Sequence, residues 1–253
     1  ALALNIVVEN TSEALIPVSK VDAGGGDVTL FAENNVDALA DATPIGSGGT
    51  STELGVGVSI ALNVVPSTTR AEIFDNAEIT GANDLTLTAK SAHTATTNAF
   101  SGGEGKTGTG IGISAGIAIV NDPTTARFGS GSLTTIGGTY SASAVHTGKS
   151  VTAAGAKSTG DAAVGIGIGV NVVDDAATAT LARSLAANGA VTLNASSLAV
   201  STVSASASAA GGTKNAASKT KSGSGSNVDQ QAADQKSYGQ SQATDSGSKG
   251  STG

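Results

Sequence analysis

LGVGVSIALNVV, residues 54–65, decides the fold, because it returns as GIGISAGIAIV at 110–120 and as VGIGIGVNVV at 164–173. Each copy alternates strictly. Val56, Val58, Ile60, Leu62 and Val64 occupy one parity, and Gly55, Gly57, Ser59, Ala61 and Asn63 the other. A period of two is the signature of a β-strand, whose successive side chains leave opposite faces. The branched face is expected to bury well, and the nearly bare face to let a neighbouring sheet or coil come close.

Outward from these copies the chain reads as a repeat array. ALNIVVENTSEALI at the start matches ALNVVPSTTRAEIF at 61–74 with one residue inserted, so Asn5 and Asn63 hold one position in successive repeats. The branched runs end at ENTSE, PSTT, NDPTT and DDAAT, where Pro, Asn and Asp predict turns. A Thr-rich strand follows, then a second alternating limb that starts near Asp27, Asp84, Thr139 and Ala190, at spacings of 51 to 57 residues. The length of that limb, as in DLTLTAKSAHTATTNAF at 84–100, favours one broad coil per repeat over several short ones. AATATLARSLAANGA at 176–190 has helix-forming composition, but its alignment with the β-branched TTRAEIF argues for strand.

The expected fold is all-β, an elongated parallel β-solenoid of about four repeats, with a long-stranded antiparallel meander as the alternative. A partial repeat covers 1–53, and repeats follow at about 54–109, 110–163 and 164–210. Residues 211–253 hold only Val228 and Tyr238 as large apolar side chains, and read as a polar linker or a degenerate coil. SGGEGKTGTG at 101–110 and TGKSVTAAGAKSTGDA at 147–162 read as loops.

Composition narrows the function. Gly accounts for 35 of 253 residues, aromatics for 2%, and Cys, Met and Trp are absent. Cohesion must therefore come from many small regular contacts along a stack. The lack of an initiating Met and the start in mid-pattern suggest a piece of a longer chain. Net charge is -7, and residues 1–53 carry eight acidic side chains against Lys20 alone, which disfavours nucleic acid as a partner. No apolar run is long enough to cross a membrane as a helix.

The Gly/aliphatic strand ending in NVV, the turn, TT-x-A-x-I and the ITGANDLTLTA limb together resemble the repeats of filamentous haemagglutinin-like and leukotoxin-like filamentous adhesins, very large bacterial surface and secreted proteins. The resemblance covers residues 1 to about 210. It implies an extracellular or cell-surface location and an elongated β-structure serving adhesion or forming a stalk. Neighbouring fibre subunits and cell-surface glycans or proteins are the partners it implies, and it transfers no receptor-binding residue.

Motifs for chemistry are few. GGEGKTG at 102–108 lacks the glycine that a phosphate loop needs five positions earlier, where Phe100 stands. His93 and His146 lie two positions out of register in neighbouring limbs with no acidic residue within two positions, and read as solvated strand residues rather than metal ligands. Asp174 and Asp175 read as turn residues, reactive only if a second segment brings them a partner. Asp75, Glu78, Asn83 and Asp84 could offer oxygens to calcium, but neither EF-hand nor GGxGxD spacing is present. No catalytic residue and no cofactor is expected. The leading function is a non-catalytic structural or adhesive segment of a large extracellular or cell-surface fibrous protein, presenting its loops at 101–110 and 147–162 for cell or surface contact. The alternatives are a carbohydrate-active β-helix protein, which would need aromatic residues to hold sugars, and an ice- or surface-binding Thr array. TLT at 86–88 and TAT at 94–96 suggest the latter, although aligned positions become SAS and TLN.

Overall fold

The computed structural model describes residues 1–44 and 49–211. The reading of 211–253 as linker or degenerate coil falls, from residue 212 on, outside the described residues. Within them the chain forms a four-coil parallel β-solenoid. The first coil holds β1 (Leu2–Ile6), β2 (Thr11–Ile16), β3 (Lys20–Asp22) and β4 (Val28–Ala42), and the short β5 (Gly49–Ser51) leads into the second coil. That coil holds β6 (Leu54–Pro66), β7 (Thr68–Ile73), β8 (Glu78–Thr80) and β9 (Leu85–Gly105). The third is β10 (Thr109–Phe128), β11 (Thr134–Ile136) and β12 (Tyr140–Thr159), and the fourth β13 (Ala162–Leu181), β14 (Leu185–Ala187) and β15 (Val191–Ala210).

Equivalent strands pair in parallel from coil to coil, which sets the antiparallel meander aside. β1 and β2 pair with β6 and β7, both of these pair with β10, and β10 pairs with β13. The second long sheet runs β4-β9-β12-β15, and the corner strands form two small ladders, β3-β8 and β11-β14. Repeat alignment and ladder register agree: Asn5 lies beside Asn63, and its amide donates to Asn63 Oδ1 at 3.0 Å. The 176–190 segment holds no helix: it is the end of β13 and the short β14 with the corners beside them, as its alignment indicates.

Three expectations change. The turns at the ends of the branched runs shrink along the array: residues 7–10 separate β1 from β2, Ser67 alone separates β6 from β7, and β10 and β13 run straight through NDPTT and DDAAT. Backbone partners in neighbouring coils let those segments stay extended. The expected loops at 101–110 and 147–162 are also mostly strand, with only residues 106–108 and 160–161 lying between long strands.

The third change concerns which face is inside. The branched aliphatic residues face outward, with Val58 43% and Ile166 44% exposed, while Ser59, Ala61 and Asn63 are fully buried. The cause is the distance between the two long sheets, which is too small at this end of the coil for a branched side chain. A Cβ built on Gly55 would lie 2.0 Å from the Glu104 carbonyl oxygen, and one on Gly57 would lie 1.8 Å from that of Gly102. Close approach of backbone through glycine is thus as expected, but it occurs across the coil interior.

The interior widens along the limbs. Next to the glycine end lie small clusters such as Ala40, Ala42, Ala61 and Ala99, and at the opposite, corner end Ile73, Leu85, Leu87, Phe128, Ile136 and Tyr140 form the main apolar core. Phe128 and Tyr140 rings sit 5.9 Å apart there. Between the wide apolar end and the narrow glycine end lies a polar layer.

Candidate functional site

That polar layer runs from coil to coil through the interior. In the first coil Asn10 donates to Asn34 Oδ1 at 3.1 Å, and Asn34 donates onward to Ser67 Oγ in the second at 3.0 Å. Ser91 then donates to Asp122 Oδ2 at 2.5 Å. Beyond it the layer gathers four ionisable side chains: His93 on β9, Asp122 on β10, His146 on β12 and Asp175 on β13.

Strand register explains the meeting. Asp122 and Asp175 are direct partners in the β10-β13 ladder, so their carboxylates stack on one inward column. On the facing sheet His93 stands beside Gly148, and His146 beside Ser91. The offset of two residues lets each imidazole lie over a small neighbour, and places the rings 5.3 Å apart. His93 Nδ1 lies 3.4 Å from Asp122 Oδ2 and 3.8 Å from Asp175 Oδ1. His146 Nδ1 lies 3.6 Å from Asp122 Oδ2, and its Nε2 3.3 Å from Asp175 Oδ2.

Each side chain is at most 2% exposed, which corrects the reading of the histidines as solvated and of Asp175 as a turn residue. Asp174, by contrast, lies on the outward parity of β13. The second segment that Asp175 needed is supplied by both histidine-bearing strands. Burial acts most strongly on Asp122 and raises its pKa, but hydrogen bonds from His93 and Ser91 and the charges of both imidazoles outweigh it and hold the carboxyl below the ordinary aspartate range. Two buried like charges in adjacent register are unfavourable unless positive charge lies between them.

Among the described residues, His93, His146 and Asp175 are the one group of three or more such side chains that could hold a metal ion, with a ligand atom from each within 4.8 Å of the others. The four residues considered for calcium are used differently. Asp75 accepts the Ser130 N–H at 2.7 Å and pairs with Arg127 at 2.5 Å. Glu78 lies 3.9 Å from Lys20. Asn83 donates to Asp27 at 3.0 Å, and Asp84 accepts the Thr139 N–H at 2.7 Å. Each contact joins one coil to the next.

The outward face of the first sheet is the second distinctive surface. Val56, Ile111 and Val164 form one row across successive coils, Val58, Ile113 and Ile166 the next, and Leu4, Leu62, Ile117 and Val170 another. No charged residue interrupts these rows. No family model, curated protein or solved structure matches this chain.

Proposed function

We propose that this chain is a non-catalytic structural or adhesive segment of a large extracellular or cell-surface fibrous protein, and that it works by lateral contact through the outward aliphatic face of its first sheet. The observation that carries this reading is the set of in-register aliphatic rows left on the outside. Eleven residues on each of β6, β10 and β13 and the 5 of β1, at about 3.3 Å each along strands about 4.8 Å apart, make a face of roughly 600 Å². Soluble monomers rarely leave a contiguous apolar patch larger than a few hundred Å² open to water. A stable pair of proteins buries about 800 Å² on each partner, so most of that area is supplied by this face alone.

The occupant we assign is a second copy of the same stack. Flat aliphatic rows are complementary to other flat aliphatic rows, whereas a sugar needs aromatic rings and polar groups that this face lacks. The test is Val58→Lys combined with Ile166→Lys, both on the exposed outward face. The parent chain is expected to sediment as a dimer or larger species, and the double variant as a monomer with an unchanged β-sheet circular dichroism spectrum. A parent that remains monomeric at its highest soluble concentration removes the lateral-contact reading.

A further inference from the structure

The polar layer holds more unsatisfied capacity than a packing feature needs. His93 Nε2, both ring nitrogens of His146, Asp122 Oδ1 and both Asp175 oxygens are buried without a hydrogen-bond partner. A buried polar atom left unpaired is costly, and here six of them belong to four neighbouring side chains. Gly148 lets these side chains close in on one another: a Cβ there would lie only 2.5 Å from His93 Cε1, 2.6 Å from Asp175 Oδ2 and 2.8 Å from His146 Nε2.

We propose that this cluster is a binding site for one divalent transition-metal ion of the zinc class, held by His93, His146 and Asp175, with Asp122 as the positioning carboxylate. Ligand chemistry selects the class: two imidazoles with a carboxylate suit zinc and its neighbours, whereas calcium and magnesium prefer oxygen alone. Size agrees. A tetrahedral ion with bonds of about 2.0 to 2.1 Å holds its ligand atoms about 3.3 to 3.4 Å apart; His146 Nε2 lies 3.3 Å from Asp175 Oδ2, and one ligand atom of each of the three side chains lies within 4.8 Å of the others.

Asp122 takes the outer role that metal-bound histidines require. Its Oδ2 lies 3.4 Å from His93 Nδ1, a contact that leaves His93 Nε2 for the ion, and 3.6 Å from His146 Nδ1. Partners of this kind fix ring orientation and typically change metal affinity by about 10- to 100-fold. Charge agrees too: Asp122 and Asp175 stack on one inward column, and a divalent cation offsets two neighbouring carboxylates. The ion would join the second, third and fourth coils across both long sheets, a role independent of the lateral face.

The chain contains two histidines, so imidazole NMR resonances report this site without interference. Zinc chloride added to the metal-stripped chain is expected to shift both imidazole signals, to bind one per chain, and to raise Tm in proportion to the logarithm of free zinc. Asp122→Asn, which preserves shape, is expected to weaken zinc binding by about 10-fold or more. Imidazole signals that do not respond to zinc overturn the proposal, even if the variant does not fold. Binding of zinc with both imidazoles unshifted, or a Tm that never depends on zinc, overturns it equally.

Discussion

Gly167 shows at the residue scale how closely the two sheets meet, since a Cβ there would lie 2.4 Å from the Ser206 carbonyl oxygen. Gly167→Val is therefore expected to lower stability by about 1 to 3 kcal/mol, read as a fall in Tm. A Tm equal to the parent's would mean that the sheets can part without cost. Arg183 is the opposite case, a large side chain with a place made for it. Its guanidinium is buried over the Phe128 ring at 4.1 Å, and donates to the carbonyls of Gly129 at 2.6 Å and Ala77 at 2.7 Å. Arg183→Leu leaves those carbonyls unpaired, at about 1 to 3 kcal/mol each. Chemical denaturation showing no loss in this variant would place the stability of the corner in the apolar core alone.

At the scale of elements, coils are tied at their corners by aspartates that reach into the next layer. Hydrogen bonds from Ser130, its backbone N–H first, hold the Asp75 carboxyl below its ordinary value, with Arg127 adding to the effect. Asn83 and the Asp84 N–H do the same for Asp27. A carboxyl whose folded pKa is depressed contributes stability above its unfolded pKa, about 3.9, and loses it as pH falls through the lower folded value. The parent's Tm is thus expected to drop as pH is taken from 5 to 2, and Asp75→Asn to reduce the size of that drop. Equal drops in the two proteins would show that Asp75 carries none of it.

These elements were largely legible in the sequence, because repeats align and alternation names strands. The alignment of ALNIVV with ALNVVP gave the ladder register of Asn5 and Asn63. Alternation separates two faces but does not say which is inside. That depends on the gap between sheets, and the gap follows from glycines on opposing limbs, such as Gly57 and Gly102, meeting across the coil. The histidine site was hidden because its members come from four strands, with His93 and Asp122 29 residues apart. One signal was present. NDPTT and DDAAT align Asp122 with Asp175, and two acidic residues stacked on one column call for a cation or a donor nearby.

For the whole molecule, the described array inverts the usual distribution of side chains. Small and polar residues fill the narrow interior, and the largest aliphatic rows face outward. Stability then rests on continuous backbone ladders and on one apolar core at the corner end, with the polar layer between. The same arrangement leaves the outer face free to vary without disturbing the interior, so the lysine substitutions at Val58 and Ile166 test association separately from folding.

The parallel register also fixes an order in time. Each long strand bonds to the equivalent strand of another coil, from 51 residues away between β12 and β15 to 58 between β1 and β6. No long strand can fold back on its immediate successor as a hairpin, so the chain gains little from local contacts at the outset. The first pair of coils must close a large loop before any ladder forms, which is slow and unfavourable. Every later coil finds an edge already waiting. Assembly is therefore a nucleated growth, paced by its first step, and a single coil is too small a unit to begin it.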